Sequence, residues 1–356
     1  MGAITGANAK AALKLTGTFG TAATCGAGDM LAGNTITHSE NTEALTVAPM
    51  GSGLSMKKTS DRGGISPTLN VSGPLGFHEP KLVALAQMFN GASVSSLAAG
   101  NGAYQHSILF NTTANTKFNT VAWQAHSASA GSFEYPSAAV TQAILAGQAR
   151  PDYVTLALDL LADQQRVSGQ TNTYTQLETV TEADTDSRKV PFQFSDSFWI
   201  NAQAGAGLSG SDILNITDFS ITYARPQEHA REAKGSAGNG APISVGDFPF
   251  TASIQVTCRT LADFTYFTAH QAETEYKAQL NLTSAVAAGG PWYYWVKCYF
   301  PRLKLVTPPQ SDLSAAGNNP LVLNFEALVA SSIPTGMAAI YPHITIVNKR
   351  STSLLA

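Results

Sequence analysis

The chain has 356 residues, a net charge of -3 and three scattered cysteines, Cys25, Cys258 and Cys298. That length buries a real core without disulfides or metals. The odd cysteine count, with no CxxC pair, excludes a disulfide scaffold and a cysteine-only zinc site, and the near-neutral balance excludes a basic nucleic-acid footprint.

Charged residues make up only 13% of the chain, where roughly 25% is usual. The surface must therefore be covered by Ala, Ser, Thr, Gly, Asn and Gln, which are cheap to desolvate because few charges would need buried partners. Such a surface suits a subunit held against copies of itself; a secreted Thr/Ser-rich β protein would share it. No run of about 18 apolar residues offers a membrane span. The N-terminus lacks the layout of a signal peptide, and Gly6 breaks the myristoylation pattern. The expectation is a chain that stays in a reducing cytoplasm, with the Asn-x-Ser/Thr triplets at Asn70, Asn111, Asn215 and Asn281 carrying no meaning.

In chain order, the Gly/Ala/Thr-rich first forty residues read as an extended arm. Strand character follows at Thr68–Ser72, Tyr153–Leu158, Ile216–Tyr223, Ser253–Thr257 and Leu321–Phe325, most of it alternating as in sheets with one buried face. Pro80–Phe89 reads as a helix, with proline in its first turn and Asn90-Gly91 as its stop. A second helix is expected over Thr260–Leu280, from Leu261, Phe264, Phe267, Ala272 and Tyr276 at helical spacing. The polar stretch Gln164–Lys189 reads as a loop or linker, and Pro226–Gly246 as a long hairpin loop.

Each helix follows an alternating strand, and the pattern repeats. Thr68–Ser72 aligns with Ser253–Thr257, Phe133–Pro136 with Cys298–Pro301 and Leu156–Ala162 with Leu323–Val329. The expected architecture is mainly β with a few helices: two tandem β-sandwich units, each flanked by a helix. Residues 1–190 form the first, with the arm and the linker, and residues 191–356 the second.

No catalytic, cofactor or metal site emerges. Gly205-Ala-Gly207-Leu-Ser-Gly210 is a literal GxGxxG, but it lies between strands, where a dinucleotide needs a strand-to-helix turn; a Gly-rich turn is the better reading. There is no Gly-Lys dipeptide for a Walker loop, no HExxH and no GxSxG. None of the histidines (38, 78, 106, 126, 229, 270, 343) has metal-pair spacing, and His78-Glu79 and His38-x-Glu40 read as surface or interface polar groups. Glu182-x-Asp184-x-Asp186 starts like a calcium loop but lacks its central glycine and closing glutamate. Trp292-Tyr-Tyr-Trp295 could stack sugars or bases, but in a strand two rings face the core and two face outward, as at a subunit contact.

The texture of Gly64–Gly73 running into the helix at Pro80 resembles tail tube proteins of long-tailed bacteriophages, in the version with two tube domains fused in tandem. Phe198–Asn201 running into Ile216–Tyr223, and the Ile254 strand followed by the Leu261 helix, carry the same resemblance. It implies a structural virion protein of the tail, assembled in the host bacterial cytoplasm. Three chains would make a pseudo-hexameric ring, and stacked rings a hollow tube that passes phage DNA without holding it. The partners would be the chain itself and other tail proteins such as the tape measure and terminator, with no cofactor, membrane or catalysed reaction. Two alternatives remain open here: another β-rich virion component (decoration, fibre or adhesin protein), and a glycan-active enzyme, which would need two close carboxylates.

Overall fold

The computed structural model describes residues 9–47, 59–97, 102–113, 116–125, 131–148, 152–183, 189–192, 196–230, 239–245, 250–258, 265–311 and 320–356. In the first part run β1 (Ala11–Thr16), β2 (Thr35–Val47), β3 (Thr59–Pro74), α1 (Pro80–Phe89), β4 (Ala92–Ser96), β5 (Tyr104–Ile108), β6 (Phe118–Gln124), β7 (Ser132–Gln148), β8 (Asp152–Tyr153), β9 (Thr155–Ala162) and α2 (Tyr174–Glu178). There follow β10 (Pro191–Phe192), β11 (Ser197–Ala202), β12 (Ile213–Leu214), β13 (Ile216–Ala224), β14 (Gln227–His229), β15 (Pro242–Ser244), β16 (Thr251–Cys258), α3 (Thr265–Gln271), β17 (Glu275–Gly289), β18 (Trp292–Leu305), β19 (Gln310–Ser311), β20 (Leu321–Ala327) and β21 (His343–Asn348).

The fold is mainly β with three short helices, as the composition and alternation predict. Among the described residues, seventeen strands join in one sheet, and β8–β10 and β14–β15 form two small pairs. The strands expected from sequence are all present, with Val154 interrupting the run at Tyr153–Leu158. β16 and β9 alternate buried and less buried residues along their length, so each turns one face to the core. β6 is buried at all seven residues, because strands and helices cover it on both sides.

Helix α1 has the predicted bounds. Proline stands at its first turn and Asn90 closes it at φ 60, its N–H donating to the carbonyls of Ala86 and Gln87. All ten residues are buried, so this helix is enclosed rather than laid on a surface.

The expected helix over Thr260–Leu280 is corrected. It runs only from Thr265 to Gln271; Leu261 and Phe264 lie outside the described residues. Glu273, at φ 53, reverses the chain, and Glu275–Leu280 enter β17, paired to β11 on one side and β18 on the other. Ala272 still closes the last helical turn, its N–H donating to the Thr268 carbonyl at 2.9 Å, whereas the helical spacing of Tyr276 lost to the tertiary pairing of a strand with two neighbours.

The extended arm is corrected as well. Ala11–Thr16 pair with Phe118–Trp123 of β6, and Ala12 and Leu13 are almost wholly buried. Residues 1–8 lie outside the described residues. The polar stretch Gln164–Lys189 is mostly irregular, as expected, but folds back on the first half. Leu177 and Val180 pack with Ala12, Cys25 and Ala122. Pro226–Gly246 contains the β14–β15 pair and so extends the β13–β16 hairpin.

Two sets of ladders run in the same chain order. In one the neighbours are β1–β6–β7–β9–β3–β2. In the other they are β11–β17–β18–β20–β16–β13. The registers correspond: Val71 faces Ile36 and Leu158, and Val256 faces Phe219 and Leu323. Leu158 rather than Leu156 is thus the counterpart of Leu323, two residues from the sequence alignment and on the same face. The sets meet where β13 pairs with the second half of β7, from Asp218↔Gln148 to Ala224↔Gln142.

Candidate assembly site

The GxGxxG segment lies in the connection between β11 and β12, which pair antiparallel through Phe198↔Leu214 and Trp199↔Ile213. Ser209 caps a single 3-10 turn over Gly210–Asp212, and the Asp212 carboxylate accepts from the Ser209 N–H at 2.8 Å. Buried Lys277 donates to the Gly205 carbonyl at 2.7 Å and the Thr335 carbonyl at 3.3 Å. The turn is therefore occupied by structural contacts, as its place between strands predicts.

His78-Glu79 is not a surface pair. Glu79, at the N-cap of α1, lies 3.3 Å from Lys81 and 3.5 Å from Lys189, with its side chain only 8% exposed. Lys81 is fully buried and also donates to the carbonyls of Gly73 and Pro74, each at 2.9 Å. Burial pushes its ammonium down to about 8, against the pull of Glu79. In His38-x-Glu40, Glu40 is exposed while the His38 ring meets Trp123 edge-on at 5.4 Å. Burial lowers His38 below the ordinary histidine value.

Glu182 is described and Asp184 and Asp186 are not. Among the described residues no cluster of three metal-ligating side chains occurs, and no helix is long and apolar enough to cross a membrane. All three cysteines are buried free thiols, each pushed up to about 12, chiefly by burial.

The aromatic run sits at the start of β18. Trp292 and Tyr293 are exposed, while Tyr294 is buried against Phe77 at 5.5 Å. Trp295 is half-buried and carries Lys297 over its ring at 4.6 Å. Sequence alternation foresees two inward and two outward rings. The irregular register at Ala287↔Tyr293 and Gly289↔Trp292 puts two adjacent rings outside instead.

Sequence reasoning missed a cleft of about 840 Å³, lined among others by His38, Asn70, Asp159 and Gln227. Asn70 donates to the Asp159 carboxylate at 2.7 Å. Among the described residues, the titratable side chains lining it are His38 and Asp159. It also missed the enclosed carboxylate Glu134, which accepts from the Asn172 N–H and side-chain amide, each at 2.8 Å. Glu134 thereby ties the loop after β9 to β7.

What the described residues do present is unpaired strand edge and apolar surface: Tyr153, Ile213, Ile243, Tyr293 and Val306 are each close to half exposed or more. The edge of β2 away from β3 carries no strand pairing among the described residues. A strand edge left unpaired can accept another strand. No curated protein sequence matches the chain. The family model described as phage tail tube protein matches residues 6–323. The chain thus belongs to the phage tail tube family, structural components of the virion tail.

Proposed function

We propose that this chain is the subunit of a hollow tail tube, whose copies close into rings that stack and let DNA pass on ejection. The family match over nearly the whole chain carries this reading. Its role is then assembly rather than reaction. The low charge supports it: ring and stack contacts are made from small polar and apolar groups, with few ions to desolvate.

The chain reads as two tandem tube units, residues 1–190 and 191–356, and the repeated ladder order supports that division. Two units per chain make three chains the natural count for a ring of sixfold character. Tape measure and terminator proteins are the expected neighbours along the tail, and the host cytoplasm the place of assembly.

Negative-stain electron microscopy of the purified chain at several concentrations tests this. Hollow tubes, or rings of three chains with apparent sixfold symmetry, are the expected result. Particles that stay monomeric at every concentration would overturn it and favour a decoration or adhesin role.

A further inference from the structure

The ladder between β7 and β13 is formed inside one chain, yet its two edges each have a counterpart elsewhere. β6 leaves the edge of β7 after Asn119↔Ala138, and β13 takes over that edge from Gln142 to Gln148. In the corresponding place β17 leaves the edge of β18 after Glu275↔Lys304. The chain then continues through Val306 to β19, which pairs only with β20 among the described residues. Val306 is 57% exposed just where the edge opens. The counterpart of β13 is β2, paired to β3 alone among the described residues.

We infer that the open edge of β2 in one copy pairs antiparallel with β19 of a second copy, repeating between chains the ladder that β13 and β7 make within one. The occupant of each edge is thus this same chain. The inference rests on the tube reading only for how many copies close the ring.

The register follows from the ladders. Phe219 corresponds to Ile36, since they face Val256 and Val71, so Thr222 corresponds to Ser39 and Ile221 to His38. Ile144 and Leu145 correspond to Gln310 and Ser311, since they face Ala157 and Leu156 as those face Val322 and Leu321. Within the chain Thr222 faces Ile144 and Ile221 faces Leu145. Between copies, Ser39 therefore faces Gln310 and His38 faces Ser311.

Hydrogen-bond phase is fixed too. The Arg225 N–H donates to the Thr141 carbonyl at 2.8 Å. Hydrogen-bonded and non-hydrogen-bonded pairs alternate along an antiparallel ladder. Ile221↔Leu145 is then a hydrogen-bonded pair and Thr222↔Ile144 a close non-hydrogen-bonded one. Pro308 and Pro309 have no N–H to give, so the seam's two-way hydrogen bonding begins at Ser311.

Cysteine cross-linking of the full chain tests this. Ser39→Cys with Gln310→Cys places two thiols across a close pair, within disulfide reach, while Ser39→Cys with Ser311→Cys points them to opposite faces. The native thiols are buried and give little background. Air oxidation of assembled protein is expected to give linked dimers and higher multiples with the first pair, at least tenfold more than with the second. Adding Ser311→Pro, which removes an N–H aimed at the seam and spares the β20 ladder, should cut that linkage tenfold in a chain still folded by circular dichroism.

Hollow assemblies without the Ser39–Gln310 link would overturn the seam and leave the tube reading standing. The link without hollow assemblies would do the reverse. Equal linking by both cysteine pairs, or undiminished linking with Ser311→Pro, would overturn the register.

Discussion

Pro136 and Pro301 occupy the same point of two different ladders. The β6–β7 register passes from Asn119↔Ala138 to Val121↔Tyr135, leaving Pro136 and Ser137 opposite the single residue Thr120. The β17–β18 register passes from Tyr276↔Leu303 to Ala278↔Phe300, leaving Pro301 and Arg302 opposite Lys277. A bulge is where a strand tolerates a residue that cannot donate to the ladder. The residue after each proline is then held alike: the Ser137 carbonyl accepts from Asp163 N–H, and the Arg302 carbonyl from Leu328 N–H, each at 2.9 Å.

Helix α1 serves the first of these bulges. The Gln87 side-chain oxygen accepts from the Val140 N–H at 3.1 Å and from Asn119 at 3.2 Å, and its amide donates to the Lys117 carbonyl at 3.0 Å. Gln87 itself is buried, so Gln87→Leu leaves the Val140 N–H without its partner and takes one of two acceptors from the Asn119 amide, which keeps the Ala138 carbonyl at 3.4 Å. The expected cost is about 2–4 kcal/mol, read as a lower urea midpoint with unchanged slope.

Much of this was legible in the sequence, and the failures have physical causes. The aromatic–proline pairs marked corresponding points of the two halves, though not the bulge that each proline occupies, and Pro80 with Asn90-Gly91 bounded α1, because local stereochemistry fixes a helix start and stop. Tyr276 misled because β17 is buried along most of its first half and so lacks alternation. The arm misled because Ala11 and Ala12 look featureless until β6 covers them. The open edges were invisible: an edge is defined by which strands fail to pair, and that is settled only when the sheet is assembled.

The N-terminal segment is part of the sheet, and its removal tests that. Deleting residues 2–35 takes away β1 and uncovers the edge of β6, whose seven residues are all buried. The truncated chain is expected to lose cooperative unfolding and to aggregate, checked by circular dichroism and soluble yield. Folded rings that merely fail to stack would show instead that the segment acts as an arm. The single change Leu13→Ala is expected to cost about 2–5 kcal/mol in the intact chain.

Asn172 is the node of the loop that follows β9. Its side chain accepts from the Cys25 N–H at 2.7 Å and donates to the Ala23 carbonyl at 2.9 Å and to the Glu134 carboxylate. Asn172→Ala is expected to destabilise by about 2–4 kcal/mol, since a buried N–H and part of a buried carboxylate lose their partners. Asn172→Asp should be worse, because it sets a second carboxylate against the first. Similar melting temperatures for the two variants would refute the charge argument.

Acid should weaken the fold through its buried histidines. His106 Nε2 lies 3.0 Å from both the Asn348 side-chain oxygen and the Arg350 carbonyl, and His343 stacks on Tyr299 at 4.7 Å. Burial lowers the pKa of His38, His106 and His343 below the ordinary 6.5. The unfolded chain therefore binds protons that the folded chain resists. The stability from these neutral rings is complete above about pH 6.5 and falls as pH drops below it, by up to about 1.4 kcal/mol per pH unit for each histidine. Urea midpoints measured from pH 7.5 down to pH 5 should fall accordingly. His106→Gln, which keeps a donor in place of Nε2, should flatten the slope; an unchanged slope would remove His106 from the account.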